Sequence, residues 1–144
     1  MTGEKQIPKV LQTIQTPAYV ADETRLRANL AALHRVKDES GVKILYAIKA
    51  CPLFPLFPVM AQMLDGSTAS GLYEARLGRE EFGKEIHVFC PAYTDAEVDG
   101  LMALGKPVHF YFNSVRQLET FAPRIREAGA GHETGIRINP RLSV

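Results

Sequence analysis

Lys49 closes the apolar run Ile44-Leu45-Tyr46-Ala47-Ile48, and its amine is the group in this chain best placed for covalent chemistry. Buried strands of parallel sheets read as near-continuous apolar runs. A lysine where such a run ends is poorly placed for packing. Held away from water it gives up its proton more readily and attacks a carbonyl carbon. Ser70, Cys90-Pro91, Asn113 and Asn139 each follow a later short run, with Arg137 just inside the last, and successive members of the series from Lys49 lie 20 to 26 residues apart. An amine, a hydroxyl, amides and a guanidinium in that series suit a small, polar, anionic ligand. Each also has a plainer reading. Lys49 can snorkel to solvent, Ser70 can cap a helix, Asn113 can sit in a cap or turn, and Arg137 can serve an interior ion pair. Cys51 and Cys90 read as small buried hydrophobes rather than nucleophiles. His87 and His109 stand 22 residues apart in separate runs and lack metal-ligand spacing, so no metal site is expected. His34, on a helix, and His132, in a loop, read as solvated.

The elements that must carry these groups alternate strand and helix, with no internal repeat or low-complexity stretch. Residues 17–21 read as a strand ending at Asp22, a helix N-cap. Leu26, Leu30 and Leu33 follow at helical spacing, and Ser40-Gly41 closes that helix. Residues 42–48 make a buried strand, followed by a proline-punctuated loop and a short helix carrying Phe57, Met60, Ala61 and Leu64. Residues 67–69 form a short strand; Ser70-Gly71 leads into a helix reaching about Glu81. Strands follow at 86–90, 108–112 and 135–139. Thr94-Asp95-Ala96-Glu97 and Ser114-Val115-Arg116-Gln117 read as capping boxes, and Pro123 should bend or interrupt the second of the two helices they open. The alternation predicts parallel βαβ units with right-handed crossovers. In such sheets the strand carboxyl ends share one face, where ligands bind, so Lys49, Ser70, Asn113 and Arg137 gather on one rim.

With 144 residues the chain falls short of the roughly 200 that a closed (β/α)8 barrel needs. A net charge of +1, with Lys and Arg scattered, offers no electrostatic footprint for nucleic acid or a membrane surface. No apolar run is long enough to span a bilayer, and the N-terminus lacks a leader-like apolar region. Two cysteines outside any C-x-x-C pair read as reduced thiols of a cytoplasmic protein.

Tyr46-Ala47-Ile48-Lys49-Ala50 resembles the pyridoxal-phosphate lysine motif of the alanine racemase-like barrels, the fold-type III enzymes that include the ornithine, arginine and diaminopimelate decarboxylases. Thr16-Pro17-Ala18-Tyr19-Val20 is similar to their opening strand, Ala69-Ser70 with Glu74 to their second barrel strand, and Gly135-Ile136-Arg137-Ile138-Asn139-Pro140 to a mid-barrel strand. A narrower resemblance, to the carboxynorspermidine (carboxyspermidine) decarboxylase family of polyamine biosynthesis, rests on three stretches: 68–83, His87-Val88-Phe89-Cys90-Pro91-Ala92-Tyr93, and Phe112-Asn113-Ser114. Many of the wider relatives carry an acid where this chain has Ser67-Thr68; the narrower family shares the Ser-Thr feature.

The resemblance implies an α/β fold: the first part, about five strands, of a pyridoxal-phosphate-binding (β/α)8 TIM barrel, plus one N-terminal strand of a second β domain. Residues 1–21 would be the arm and strand of that second domain and 22–144 an incomplete barrel, with the C-terminal β domain absent, so the chain reads as an N-terminal fragment. The resemblance further implies a lyase with pyridoxal 5'-phosphate held by Lys49, catalytic and cofactor-binding at once. Arg137 is implied on the cofactor's phenolate side, and Ser70 and Asn113 near its ring. A small-molecule polyamine carboxylate would be the substrate and a cytoplasmic homodimer the full-length form, with no nucleic-acid or membrane partner. The remaining strands, a ring-stacking histidine, a glycine-rich phosphate loop and the acid for the pyridine nitrogen would lie outside this chain, which is expected to be inactive alone. A pyridoxal-phosphate homeostasis protein of the same barrel type and another fold-type III decarboxylase stay open as alternatives. A flavodoxin- or receiver-like five-strand domain fits the size; its acidic cluster and phosphate loop are not visible.

Overall fold

Side-chain alternation along the strands explains the layering seen in the computed structural model, which describes residues 9–140. The strands are β1 (Leu45–Ala47), β2 (Gly66–Ala69), β3 (Glu85–Phe89), β4 (Val108–Phe112) and β5 (Glu133–Ile136). They form one sheet in the order β1-β2-β3-β4-β5, every pair parallel. A doubly wound sheet reverses its strand order at a switch point. This one never reverses, which is the order a barrel wall requires and a flavodoxin-like sheet lacks. The strand order thus removes the receiver-like alternative.

Successive residues of a strand face opposite sides. Ile86, Val88, Val108, Phe110 and Phe112 point to one side and are completely buried. They pack there with Leu101, Phe121 and Ile125 of helices α4 (Asp95–Met102) and α5 (Val115–Glu127). Each such side chain contributes about 1.5–3 kcal/mol on burial. A second cluster joins Leu30 of α1 (Glu23–Ser40), Ile48, Phe57 and Met60 of α2 (Phe57–Ala61), Leu64 and Phe82. The opposite face of the sheet carries Glu85, His87, Phe89, His109 and Tyr111 and has no helix over it among the described residues.

Local signals set the helix ends. The Asp22 carboxylate accepts from the Arg25 N–H at 3.1 Å, and Gly41 closes α1 at φ 71°. Thr94 and Glu97 form a reciprocal capping box. The Ser114 box closes on one side only: its hydroxyl accepts from the Gln117 N–H, but the Gln117 amide donates to the Pro91 carbonyl at 3.0 Å. Helix α5 runs through Pro123 without interruption, because the ring removes one N–H donor while Phe121, Ala122 and Ile125 around it stay anchored in the core. The helix after Ser70 is shorter than its periodicity suggests. Helix α3 (Leu72–Leu77) passes into a π turn, Gly78–Phe82, closed by Gly83 at φ 76°.

Three strand expectations are corrected. Residues 17–21 form no ladder, and Tyr19 is 98% exposed, since a strand exists only where a neighbour takes up its N–H and C=O groups. Strand β1 ends at Ala47, and a 3-10 turn (Ile48–Ala50) carries Lys49. Strand β5 begins at Glu133 rather than Gly135, because its register follows His109–Phe112 of β4, and its pairing fades after the Arg137 N–H reaches the Phe112 carbonyl at 2.8 Å. The ends of the expected domain ranges, residues 1–8 and 141–144, lie outside the described residues.

Candidate functional site

Lys49 stands on a turn fixed from below. Ile48 is 1% exposed and anchors the turn in the second core cluster. The Tyr46 hydroxyl donates to the Cys51 carbonyl at 2.5 Å, tying the strand to the far side of the turn. Its ring stacks on Phe82 and meets Phe57 edge-on. Burial pushes the Tyr46 phenol up to about 12, so it stays protonated and keeps donating. The amine itself is exposed. This corrects the expectation of a dry lysine: no described residue covers the face into which β1 opens.

Ser70, Asn113 and Arg137 follow β2, β4 and β5, so all lie on the carboxyl-end rim with Lys49, and all are exposed. Ser70 does not cap a helix through its side chain. Gly71 is the cap residue, and the Ser70 N–H donates to the Glu74 carboxylate at 2.8 Å. Its carbonyl accepts from the Cys90 thiol. Asn113 occupies the bend between β4 and the Ser114 cap. The Arg137 guanidinium lies over the Phe89 ring, 4.8 Å from its centroid, a contact that holds a cation at the mouth of the open face. Lys49 and Arg137 sit beyond the two outermost strands, four strand spacings or roughly 19 Å apart along the sheet.

Cys90 is buried at 3% exposure, and burial raises its thiol to about 11, which makes it a packing residue. Tyr93, unremarked in the sequence beyond its segment, is a structural tie. Its hydroxyl donates to the Val88 carbonyl at 2.8 Å and accepts from the Cys90 N–H. A cavity of about 180 Å³ on the open face is lined by Leu45, Thr68, His87, Phe89 and Tyr111. Thr68 thus faces the site side, while Ser67 is fully buried among the helices. Sequence reasoning missed this lining. The period-2 pattern of His87, Phe89, His109 and Tyr111 was the available signal.

A larger cavity, about 420 Å³, opens at the amino ends of the strands, with Lys43, Arg79, Lys84 and Lys106 around it. Three of these cations already have partners: Lys43 on Glu85, Lys84 on the Leu64 carbonyl, Arg79 on the Lys106 and Pro107 carbonyls.

His87 and His109 correct the spacing argument most clearly. The β3–β4 register places them opposite each other, their rings stacked with centroids 4.0 Å apart. Nor is His132 simply solvated: its Nδ1 accepts from the Val108 N–H at 3.1 Å.

The chain is similar to curated proteins of one reaction type. It is 37% identical over 131 residues to a carboxynorspermidine/carboxyspermidine decarboxylase of Herminiimonas arsenicoxydans, and 34% over 133 residues to one of Campylobacter jejuni. It is 35% identical over 133 residues to a carboxyaminopropylagmatine decarboxylase of Synechocystis. These matches cover 90–92% of the chain and 33–34% of the relatives. The chain therefore spans about a third of the length of the curated relatives it matches. Among solved structures it superposes on the norspermidine complex of carboxynorspermidine decarboxylase from Campylobacter jejuni with a TM-score of 0.82, at 35% identity, covering 90% of this chain and 34% of that one. A D-threonine aldolase from Filomicrobium marinum matches in fold alone, with a TM-score of 0.77 at 16% identity and 37% of its chain covered. No family model matches. Over nine tenths of its length the chain is thus similar to carboxynorspermidine/carboxyspermidine decarboxylases, the likeness its motifs suggested.

Proposed function

We propose that this chain is the lysine-bearing wall of a pyridoxal-phosphate-dependent carboxy-lyase. Its substrate would be carboxynorspermidine or carboxyspermidine, converted to norspermidine or spermidine. One observation supports this reading above the others: Lys49 stands at the carboxyl end of β1, on a rim with Arg137, in a chain 34–37% identical to decarboxylases of such carboxylated amines. The donor set fits the cofactor. Lys49 offers an amine to an aldehyde, and Arg137 a fixed positive charge to a phenolate. The Ser70 hydroxyl and the Asn113 amide offer hydrogen bonds to ring substituents. When bound, pyridoxal phosphate supplies the electron sink that takes up the pair left as CO2 departs.

The chain's own residues have three tasks. Lys49 anchors the cofactor and is the group positioned to hold or return a proton at the reacting carbon. Arg137, seated on Phe89, orients the anionic side of the ring. The wall of Thr68, Phe89 and Tyr111 shields the site from beneath. Lys49 is open to water among the described residues, and burial that disfavours a charged amine must come from surfaces beyond them. The isolated chain is accordingly expected to be catalytically silent, and the working form is a cytoplasmic homodimer acting on a small-molecule substrate. The two cysteines, neither in a disulfide, suit that compartment. The similarity to the Synechocystis protein favours one second reading, in which the substrate is carboxyaminopropylagmatine.

The test is to incubate the protein containing this wall with pyridoxal phosphate, reduce with borohydride and map the adduct by mass spectrometry. A dominant adduct at Lys49, lost in Lys49→Ala, is expected. Labelling spread evenly over the lysines would defeat the assignment. CO2 release from the three carboxylated amines by the protein containing this wall then ranks the substrates.

A further inference from the structure

We propose that Glu85, His87 and His109 form a binding site for a divalent transition-metal ion, Zn2+ in the first instance, on the open face of the sheet. None of the three ligands is among the residues assigned to the cofactor.

Three independent features converge there. The first is register. Parallel pairing sets His87 beside His109, and period-2 alternation puts Glu85 on the same face. One ligand atom from each of the three lies within 4.8 Å of the others, and His87 Nε2 is already 3.3 Å from the Glu85 carboxylate. Ligands on zinc at 2.0–2.2 Å in a tetrahedron are about 3.3–3.5 Å apart. Closure therefore needs a shift of roughly 1.5 Å at most, supplied by turning one imidazole out of the stack.

The second feature is the outer partners. Metal-bound imidazoles have their other nitrogen held by a carboxylate, carbonyl or comparable group, which fixes tautomer and ring direction. His109 Nδ1 lies 3.0 Å from the Glu133 carboxylate. A carboxylate only accepts, so the proton sits on Nδ1 and Nε2 carries the lone pair. His87 Nδ1 lies 3.3 Å from the Tyr111 hydroxyl, which can donate or accept. An ion taking the place of the proton between His87 Nε2 and Glu85 leaves that outer contact intact.

The third feature is ligand type. Two imidazoles with one carboxylate suit Zn2+, Co2+ or Fe2+ and disfavour Mg2+ and Ca2+, which take oxygen sets. Lys43, whose ammonium sits 2.5 Å from Glu85, is the resident counter-charge. Its side chain is 64% exposed and can swing into water when an ion replaces it.

This last point makes the proposal testable in a direction that a purely structural cluster would not reproduce. The chelator-treated chain is titrated with Zn2+ by calorimetry and with Co2+ by visible absorption, with histidine ring nitrogens followed by NMR. One ion per chain is expected, with Co2+ ligand-field bands and shifts at His87 and His109. His109→Ala should weaken Zn2+ binding more than tenfold and Glu133→Gln about tenfold, while Lys43→Gln should tighten it several-fold. The NMR readout uses the unmodified chain, so it decides the matter even where a variant fails to fold. Zn2+ shifts confined to His34 or His132, unchanged affinity in His109→Ala, or no tightening in Lys43→Gln would each overturn the proposal.

Discussion

Replacing Gly78 by alanine tests how the turn bearing Lys49 is supported. Gly78 has ordinary helical angles, φ −62° and ψ −36°, so the backbone accepts a side chain there. Space does not. An alanine Cβ would stand 2.6 Å from Ser67 Oγ and 3.0 Å from Ile48 Cδ1. Ser67 is fully buried, and its hydroxyl has no hydrogen-bond partner. Overpacking of this kind costs about 1–3 kcal/mol, against a helix-propensity gain of up to about 1 kcal/mol. Gly78→Ala is therefore expected to lower stability by about 1–2 kcal/mol. Ser67→Ala removes both the obstructing oxygen and a buried unsatisfied hydroxyl, whose desolvation costs about 1–3 kcal/mol, so alone it should be neutral or stabilising. In the double variant the new Cβ meets the Cβ at position 67 at 3.7 Å, an ordinary contact, and only the mobile end of Ile48 must give. Urea unfolding of the four proteins, with unchanged m-values, should give a favourable coupling of about 1–2 kcal/mol. Additivity within about 0.5 kcal/mol, the scatter of independent sites, would show that the close approach is not what limits this position.

Two further outcomes are expected. Thr94→Ala removes one side of the α4 capping box and should cost about 1 kcal/mol, read as a Tm lower by roughly 3–5 °C. The pH dependence follows from His87 and His132, both held by burial below the ordinary histidine range. The unfolded chain then takes up protons near pH 6.5 that the folded chain resists, so stability falls as pH drops from about 7.5 to 5.5. Glu85, held down chiefly by Lys43, contributes only at lower pH. His132→Asn, which keeps an acceptor for the Val108 N–H, should flatten the thermal-stability slope in that window; an unchanged slope would refute the histidine origin.

The likeness to these decarboxylases and the order of elements were legible along the chain because they reside in contiguous residues. Asp22, Thr94 and Ser114 cap helices through atoms three residues away, a distance any linear reading spans. Strand β4 matches its apolar run because both flanks are marked, by Pro107 and by Asn113-Ser114. Lys49, Ser70, Asn113 and Arg137 reach one rim because consecutive parallel strands leave them no other end.

What only the tertiary structure decided is whatever depends on a partner distant in sequence. The β3–β4 register made neighbours of His87 and His109 and put Glu85 beside them. The Pro91 carbonyl drew Gln117 away from its capping box. The packing of Gly78 over Ser67 placed one of two adjacent polar residues in the core and the other, Thr68, on the open face. Residues 17–21 and the burial of Lys49 also depended on surfaces apart from their own segment, and none of the described residues supplies them. Hydrogen-bond partners and desolvation are properties of the assembled surface. A run of residues carries the capacity for them, and the neighbours it meets determine which is realised.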